Sequence, residues 1–370
     1  MRQLVVTVHS PYDAYLRDDP AEDARRAGLL YVSRSDPGYS RVRCGRGFRY
    51  RDPFGQTVPR GERRDRFESL ALPPAWRDVW ICAKPNGHLQ ATGVDEAGRV
   101  QYRYHAQWRA ARDERKFLRM VAFGRLLTRL RRAVRRDLRR PGLHRRRVAA
   151  ACVRLLDSTH ARIGHESYAD DGAFGLCTLQ PEHLELRAGQ GVATLDFPGK
   201  SGRRWQLDVQ DPSVVRVLEA CAQADCRVFC YRDDGGSTRA MTASRVVDYL
   251  REASGHDLRP KDFRTWAGTV IAAATIRERL DGGATVRRKK VATRATKAAA
   301  AQLRNTPAVC RSAYIFPAVL ESFSPAALEE SRARIAKSCP ELRIDEQLVQ
   351  LFLERHFDAE PEGLPATRAA

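Results

Sequence analysis

Gly199-Lys200-Ser201 looks like the end of a glycine loop that cradles nucleotide phosphates. Such a loop needs a glycine five positions before Gly199, and Thr194 stands there instead. The lysine also lies between two strand-like segments rather than at the start of a helix, so the sequence lends no support to ATP binding through it. His165-Glu166 lacks the second histidine one turn later that a zinc-protease helix requires. Cys221, Cys226 and Cys230 cluster without a second ligand group at zinc-like spacing. The nine cysteines are odd in number and form no Cys-x-x-Cys pair, so they read as reduced structural thiols, and no metal site is expected.

What remains is a set of cations followed by a tyrosine. Arg162 lies in Arg162-Ile163-Gly164-His165-Glu166 at a helix end, and Lys200 tops a β-hairpin. Arg264 lies in Lys261-Asp262-Phe263-Arg264-Thr265-Trp266-Ala267-Gly268-Thr269. Asn305-Thr306-Pro307 opens a helix by a cap-then-proline start, and Tyr314 follows on that helix. Arginine offers a planar, permanently charged fork to anionic oxygens, whereas lysine can give up a proton. Taken singly, each of these is an ordinary surface residue. The lysines are nevertheless scarce: 57 of the 65 basic residues are arginine, which lends the other eight some weight.

The bulk composition narrows the partner. A formal charge of +20 reads as the electrostatic footprint of a polyanion, either nucleic acid or an acidic membrane. No stretch approaches the roughly 18 apolar residues of a membrane-spanning helix. The N-terminus, Met1-Arg2-Gln3-Leu4-Val5-Val6, lacks the apolar core of a secretory signal, so a cytoplasmic location in contact with nucleic acid is expected.

Those candidates must be positioned by two kinds of structure. Val79–Ala83, Leu89–Gly93 and Arg99–Tyr104 read as a three-stranded meander, with a tight turn at Asn86-Gly87. From Trp108 the apolar period becomes helical through Phe117, Val121, Leu127, Leu130, Val134 and Leu138. Sixteen basic side chains stand against three acidic ones between Arg109 and Arg147, an imbalance that favours contact with phosphates over a merely solvated face. Pro141-Gly142 breaks this helix and another runs from about Arg147 through Ile163. Leu184–Leu186, Val192–Phe197 and Trp205–Val209 read as strands. Helical patterns follow over Val214–Ala224, Ala243–Ala253, Asp262–Leu280, Ala292–Leu303 and from Pro307 onward, with a basic Thr/Ala-rich stretch at Thr285–Thr296. The tail, 359–370, has little to bury and is expected to be disordered.

In order and spacing these elements resemble the type IB topoisomerases, in particular the compact bacterial and poxvirus-like branch. The likeness runs from about Gly28 to about Phe357. It rests on Leu72-Pro73-Pro74-Ala75-Trp76, Pro85-Asn86-Gly87-His88-Leu89-Gln90-Ala91-Thr92-Gly93 and Gln101-Tyr102-Arg103-Tyr104-His105 in the first part. In the second part it rests on Arg162-Ile163-Gly164, Gly175-Leu176, Gly199-Lys200-Ser201-Gly202, Lys261-Asp262-Phe263-Arg264-Thr265, and Asn305-Thr306-Pro307 with Tyr314 nine residues after Asn305. The fold so implied is α+β: a small β-rich DNA-binding domain over 1–106 and a larger, mainly α-helical catalytic domain with a small antiparallel sheet over 107–358. The two would close as a C-shaped clamp.

The resemblance also implies roles. Tyr314 would attack a DNA phosphodiester, giving a 3′-phosphotyrosyl link and a free 5′-hydroxyl. Arg162, Arg264 and Asn305 would hold the non-bridging oxygens, Lys200 would protonate the leaving oxygen, and Lys261 would assist. Gln101, Tyr102 and Tyr104 would face the major groove. The partner would be double-stranded DNA, met by a monomer, with no nucleotide cofactor. Arg304 departs from the glycine common before the asparagine, His165 from an asparagine and Phe316 from a histidine. A tyrosine recombinase usually carries His-x-x-Arg where this chain has Lys261-Asp262-Phe263-Arg264, and a non-catalytic DNA-binding protein would not need Tyr314.

Overall fold

Arg41 explains both a strand that escapes the eye and the packing beneath it. In the computed structural model, which describes residues 11–187, 190–224, 226–281, 288–322, 335 and 341–358, residues 18–117 form one compact unit and the described residues of 11–17 and 118–358 another. The first unit carries α1 (Pro20–Arg26), β1 (Gly38–Cys44), β2 (Gly47–Arg51), α2 (Glu62–Ser69), β3 (Arg77–Cys82), β4 (Leu89–Val94) and β5 (Val100–Tyr104). Its strands pair in the order β2-β1-β3-β4-β5, antiparallel throughout. The expected meander is β3-β4-β5; β1 and β2 extend it. Their sequence hides its alternation because an inward position is arginine. The buried Arg41 guanidinium donates to the carbonyls of Leu72 at 2.9 Å, Pro73 at 2.7 Å and Trp76 at 3.1 Å. Tyr50, Val58, Phe67, Val79, Ile81 and Ala91 fill the core between α2 and the sheet.

The expected turn over residues 84–87 forms, closed by the Gly87 N–H on the Lys84 carbonyl at 3.1 Å, but without the positive φ of a two-residue hairpin turn. Gly87 keeps a negative φ, and its hydrogen is needed for another reason: a Cβ there would sit 2.6 Å from the Cys82 sulfur. Leu30 adds a bridge at this point, donating to the Asn86 carbonyl and accepting from His88.

α3 (Ala106–Asp137) is one continuous helix, and the division between the units falls within it. There follow α4 (Arg145–Thr159), α5 (Glu166–Ala169), the sheet β6 (Leu184–Arg187), β7 (Val192–Pro198), β8 (Arg204–Val209), and α6 (Pro212–Ala222). A two-stranded ribbon of β9 (Cys230–Arg232) and β10 (Thr238–Ala240) precedes α7 (Ala243–Ser254), α8 (Pro260–Asp281), α9 (Arg288–Gln302), α10 (Pro307–Ala313), α11 (Pro317–Ser322) and α12 (Ile344–Asp358). Ala-rich α4 is buried almost throughout, which lets α6, α7 and α8 approach it closely. Eight cysteines are free thiols, Cys221 and Cys230 among them. The tail at 359–370 and residues 285–287 of the basic Thr/Ala-rich stretch lie outside the described residues.

The arginine run of α3 and the start of α4 proves to be largely an internal ion-pair network. Twelve of its sixteen cations lie against carboxylates, eleven of them brought in from outside the helical run or shared at Asp137 and the twelfth, Lys116, at Asp113. Arg131, for example, bridges Asp157 and Glu346, both at 2.7 Å, and Arg119 meets Asp262 at 2.8 Å in the interior. The twelve share ten carboxylates, so the imbalance is smaller in space than along the chain, though an excess of cations remains. That weakens the case for this helix as a strip of phosphate contacts.

Candidate active site

The site begins where α4 ends. His160 takes a left-handed C-cap conformation (φ 59°), and its N–H donates to the Leu156 carbonyl at 3.2 Å. This turns the chain sharply, so Arg162 lies in an extended segment just past the helix. Leu176 N–H donates to the Arg162 carbonyl at 3.0 Å and Cys177 N–H to the Ile163 carbonyl at 2.7 Å. Gly164 (φ 87°) and Gly175 meet face to face: a Cβ on Gly175 would lie 2.5 Å from the Gly164 nitrogen. Those two glycines explain why Arg162-Ile163-Gly164 and Gly175-Leu176 occur together.

Arg264 stands on the second turn of α8 and is 3% exposed. Its guanidinium donates to the carbonyl of His160 and, at 2.7 Å, to that of Leu303. Its Nε has no protein partner. The guanidinium carbon sits 5.2 Å from the centroid of the Tyr314 ring.

Tyr314 is not on α10 but is its C-cap residue, a correction to the helical placement expected from the sequence. Thr306 is the N-cap and Pro307 the first helical residue, as the cap-then-proline start implied. α8 holds the tyrosine from behind. A Cβ on Gly268 would lie 2.6 Å from the Tyr314 carbonyl oxygen and 3.0 Å from its Cβ. The fully buried Thr269 hydroxyl accepts from Phe316 N–H at 3.2 Å and lies 3.3 Å from the Tyr314 carbonyl oxygen. Burial raises the Tyr314 pKa, but Arg264 and then Arg162 overcome it, and the phenol is held below its ordinary value.

Asn305 closes a Schellman ending on α9. Its N–H reaches back to the Ala300 carbonyl at 3.0 Å and that of Arg304 to Ala301 at 3.3 Å. Arg304 therefore occupies the left-handed position (φ 47°) that glycine usually fills. It is supported there: the guanidinium donates to the carbonyl of Arg204 and stacks 4.9 Å over the Trp205 ring. The strain is thus offset by contacts to β8, and the Arg304 charge is directed at that strand. Asn305 Oδ1 accepts from Arg162 at 3.3 Å, while its buried Nδ2 has no protein partner.

Lys200 lies in the turn from β7 to β8, where Ser201 (φ 64°) and Gly202 (φ 69°) are both left-handed. It is exposed, and its Nζ sits 5.1 Å over the ring of Tyr168 from α5. Lys261 is exposed on the first turn of α8. Arg162, Lys200, Lys261, Arg264 and Tyr314 line a single cavity of about 640 Å³. Asn305 joins it through Arg162. Arg259 adds a fifth cation to the lining, and among the described residues no carboxylate lines it. Such a cavity can hold a dianionic or pentavalent phosphate with a phenol beside it.

Gln101, Tyr102 and Tyr104 are all on β5, in the other unit. Strand alternation puts Tyr102 and Tyr104 on one face, their rings stacked 6.0 Å apart, and turns Gln101 the other way. Gln101 donates to Asp95 at 2.8 Å, and Tyr102 is 52% exposed. Tyr168, Gly268 and Thr269 carry weight in the site and were not singled out from the sequence. The close spacing of Gly268-Thr269 to Arg264 on one helix is the signal that could mark those two, and Tyr168 carries none.

Residues 105–338 match the family described as eukaryotic DNA topoisomerase I, catalytic core, and residues 47–95 match the bacterial DNA topoisomerase IB N-terminal domain. DNA topoisomerase 1B of Acanthamoeba polyphaga mimivirus is 30% identical over 272 residues, which cover 70% of this chain and 79% of the viral protein.

Proposed function

Since the chain belongs to the type IB DNA topoisomerases, we propose that it relaxes supercoiled DNA without ATP, by cutting one strand with Tyr314 and resealing it. One observation carries this reading: the Tyr314 phenol lies against Arg264 and Arg162 in a cavity whose other charged groups, among the described residues, are all cations.

Tyr314 Oη attacks the phosphorus as its proton leaves for solvent. A bond forms from phosphorus to the phenolic oxygen, and the bond to the 5′-oxygen breaks. Arg162 and Arg264 stabilise the charge gathering on the non-bridging oxygens, and the unpartnered Asn305 Nδ2 is a third donor of that kind. One such donor lowers the barrier by roughly 3 kcal/mol. Lys200 gives its proton to the departing 5′-oxygen, a task for which arginine, with a pKa above about 12, is a poor choice. Its ammonium is exposed and, among the described residues, meets the Tyr168 ring, which leaves it able to reach an atom on the far side of the phosphate. The phosphotyrosyl ester keeps the energy of the broken bond, so the reverse attack by the 5′-hydroxyl needs no nucleotide. Between the two steps the duplex rotates and loses supercoils.

Relaxation of a supercoiled plasmid with EDTA present and ATP absent tests this. The chain should relax it, and Tyr314→Phe should not. Relaxation by the phenylalanine variant, or a requirement for ATP, contradicts the proposal. Among the described residues no helix is long and apolar enough to cross a membrane.

A further inference from the structure

α9 carries a face that the cleavage site does not use. Val291, Ala292, Ala295, Thr296, Ala299 and Ala300 are buried inward, where α9 packs on α8 and α10. Lys289, Lys290, Thr293, Arg294 and Lys297 point outward, all exposed, and line a surface groove of about 580 Å³. This one helix holds three of the eight lysines of the chain.

Its contrast with α3 is the informative part. α3 matches nearly every cation with a carboxylate, whereas no ion pair or hydrogen bond joins the side chains of Lys289, Lys290, Arg294 or Lys297 to a described residue. Lys290 and Arg294 are four residues apart and Arg294 and Lys297 three, spacings at which like charges repel. Arg288, Lys289 and Lys290 also stand at the helix N-terminus, where the backbone dipole disfavours cations. An arrangement unfavourable in the free protein on both counts becomes favourable against a row of anions.

We infer that this face is a second phosphate-contact surface, which grips the sugar–phosphate backbone of duplex DNA away from the phosphate being cut. The inference rests on the proposed DNA-cleaving function for its choice of polyanion. Lys289 and Lys297 are about 12 Å apart along the helix, a length over which one strand of a duplex presents roughly three to four phosphates along its axis. α9 leads directly through Leu303 and Arg304 to Asn305, so the face lies on the same element that ends in the site. None of its cations lines the catalytic cavity.

The test compares the full chain with a variant carrying Lys289→Gln, Lys290→Gln, Arg294→Gln and Lys297→Gln. Affinity for a long duplex is measured over a range of salt, and the rate of covalent-adduct formation is measured at saturating DNA. The variant should lose about 0.9 of slope in log affinity against log salt for each contact removed, three to four in all, with an unchanged adduct rate. A second variant, Lys289→Arg with Lys290→Arg and Lys297→Arg, should keep the original slope. An unchanged slope in the glutamine variant overturns the inference, as does a loss that the arginine variant shares. So does binding to phosphatidylserine vesicles that the glutamine variant loses while its DNA slope stays intact. If neither protein relaxes DNA yet the slopes differ as stated, the cleavage proposal fails and this surface stands.

Discussion

The Arg264 guanidinium lies 5.2 Å over the Tyr314 ring while its two terminal nitrogens hold the carbonyls of His160 and Leu303. One buried side chain thereby ties the end of α4, the end of α9 and the phenol together. Burial alone would raise the phenol pKa; Arg264 and Arg162 bring it below the ordinary value. Titration of the full chain against Tyr314→Phe should show the Tyr314 phenol ionising below about 10. The cleavage rate should climb with pH toward that value. Arg264→Gln should move the midpoint upward and slow cleavage about a hundredfold or more. A midpoint that does not respond to Arg264 would mean that the arginine acts only as a structural tie.

Lys200 is expected to act on the leaving oxygen alone. Lys200→Arg should abolish cleavage of ordinary DNA but leave it near the original rate when sulfur replaces the bridging 5′-oxygen, since a thiolate leaves without a proton. Single-turnover cleavage of the two substrates measures this. Equal defects on both would assign Lys200 to binding the phosphate instead.

Gly268 sets the depth at which Tyr314 sits. In Gly268→Ala the added methyl would meet the Tyr314 carbonyl oxygen at 2.6 Å, and neither the backbone of α8 nor that of the C-cap can yield cheaply. The expected outcome is a loss of about 1–3 kcal/mol in stability and at least a tenfold slower cleavage, with DNA affinity little changed. Chemical denaturation and single-turnover cleavage report the two. Wild-type cleavage in this variant would show that the close approach does not fix the phenol.

His160 links pH to the site. Burial first, then Arg343 and Arg264, push its pKa down to about 4, against the opposing pull of Asp157. The unfolded chain takes up this proton near the ordinary value of about 6.5, whereas the native chain resists until about 4. Stability from this residue is therefore complete above about 6.5 and is lost as pH falls toward 4, by about 2–3 kcal/mol. His160→Asn keeps a residue that tolerates the left-handed cap and removes the titration. Denaturant midpoints between pH 7 and about 4 should fall for the native chain and flatten for the variant. Equal slopes for both would place the acid sensitivity elsewhere.

Much of this architecture is legible in the residues. β6, β7 and β8 and the long helices follow apolar periods that survive translation into structure, and the α+β organisation holds. β1 and β2 are illegible because Arg41 occupies an inward position and is satisfied by three carbonyls, which no alternation of apolar residues reveals. The arginine run of α3 misleads in the opposite direction. Its partners Asp157, Asp262, Glu341, Glu346 and Glu354 are remote along the chain, so the neutralisation exists only after folding. Within the site, Arg162, Lys200, Lys261, Arg264 and Tyr314 do converge on one cavity. What could not be read is how Tyr314 is held, because Gly268 and Thr269 act through backbone approach and one hydroxyl. Arg304 shows the same limit: its left-handed strain follows from the Schellman ending, but the Trp205 stack that offsets it is a tertiary contact.

The central claim is a bond, and it is best tested as one. The full chain is incubated with a duplex that loses its downstream strand on cleavage, so that the religation partner diffuses away, and the products are denatured and digested with protease. The account predicts one DNA-linked peptide, containing Tyr314 joined to a 3′-phosphate, and a free 5′-hydroxyl on the released strand. A link at another residue, or a covalent adduct that persists in Tyr314→Phe, would contradict it.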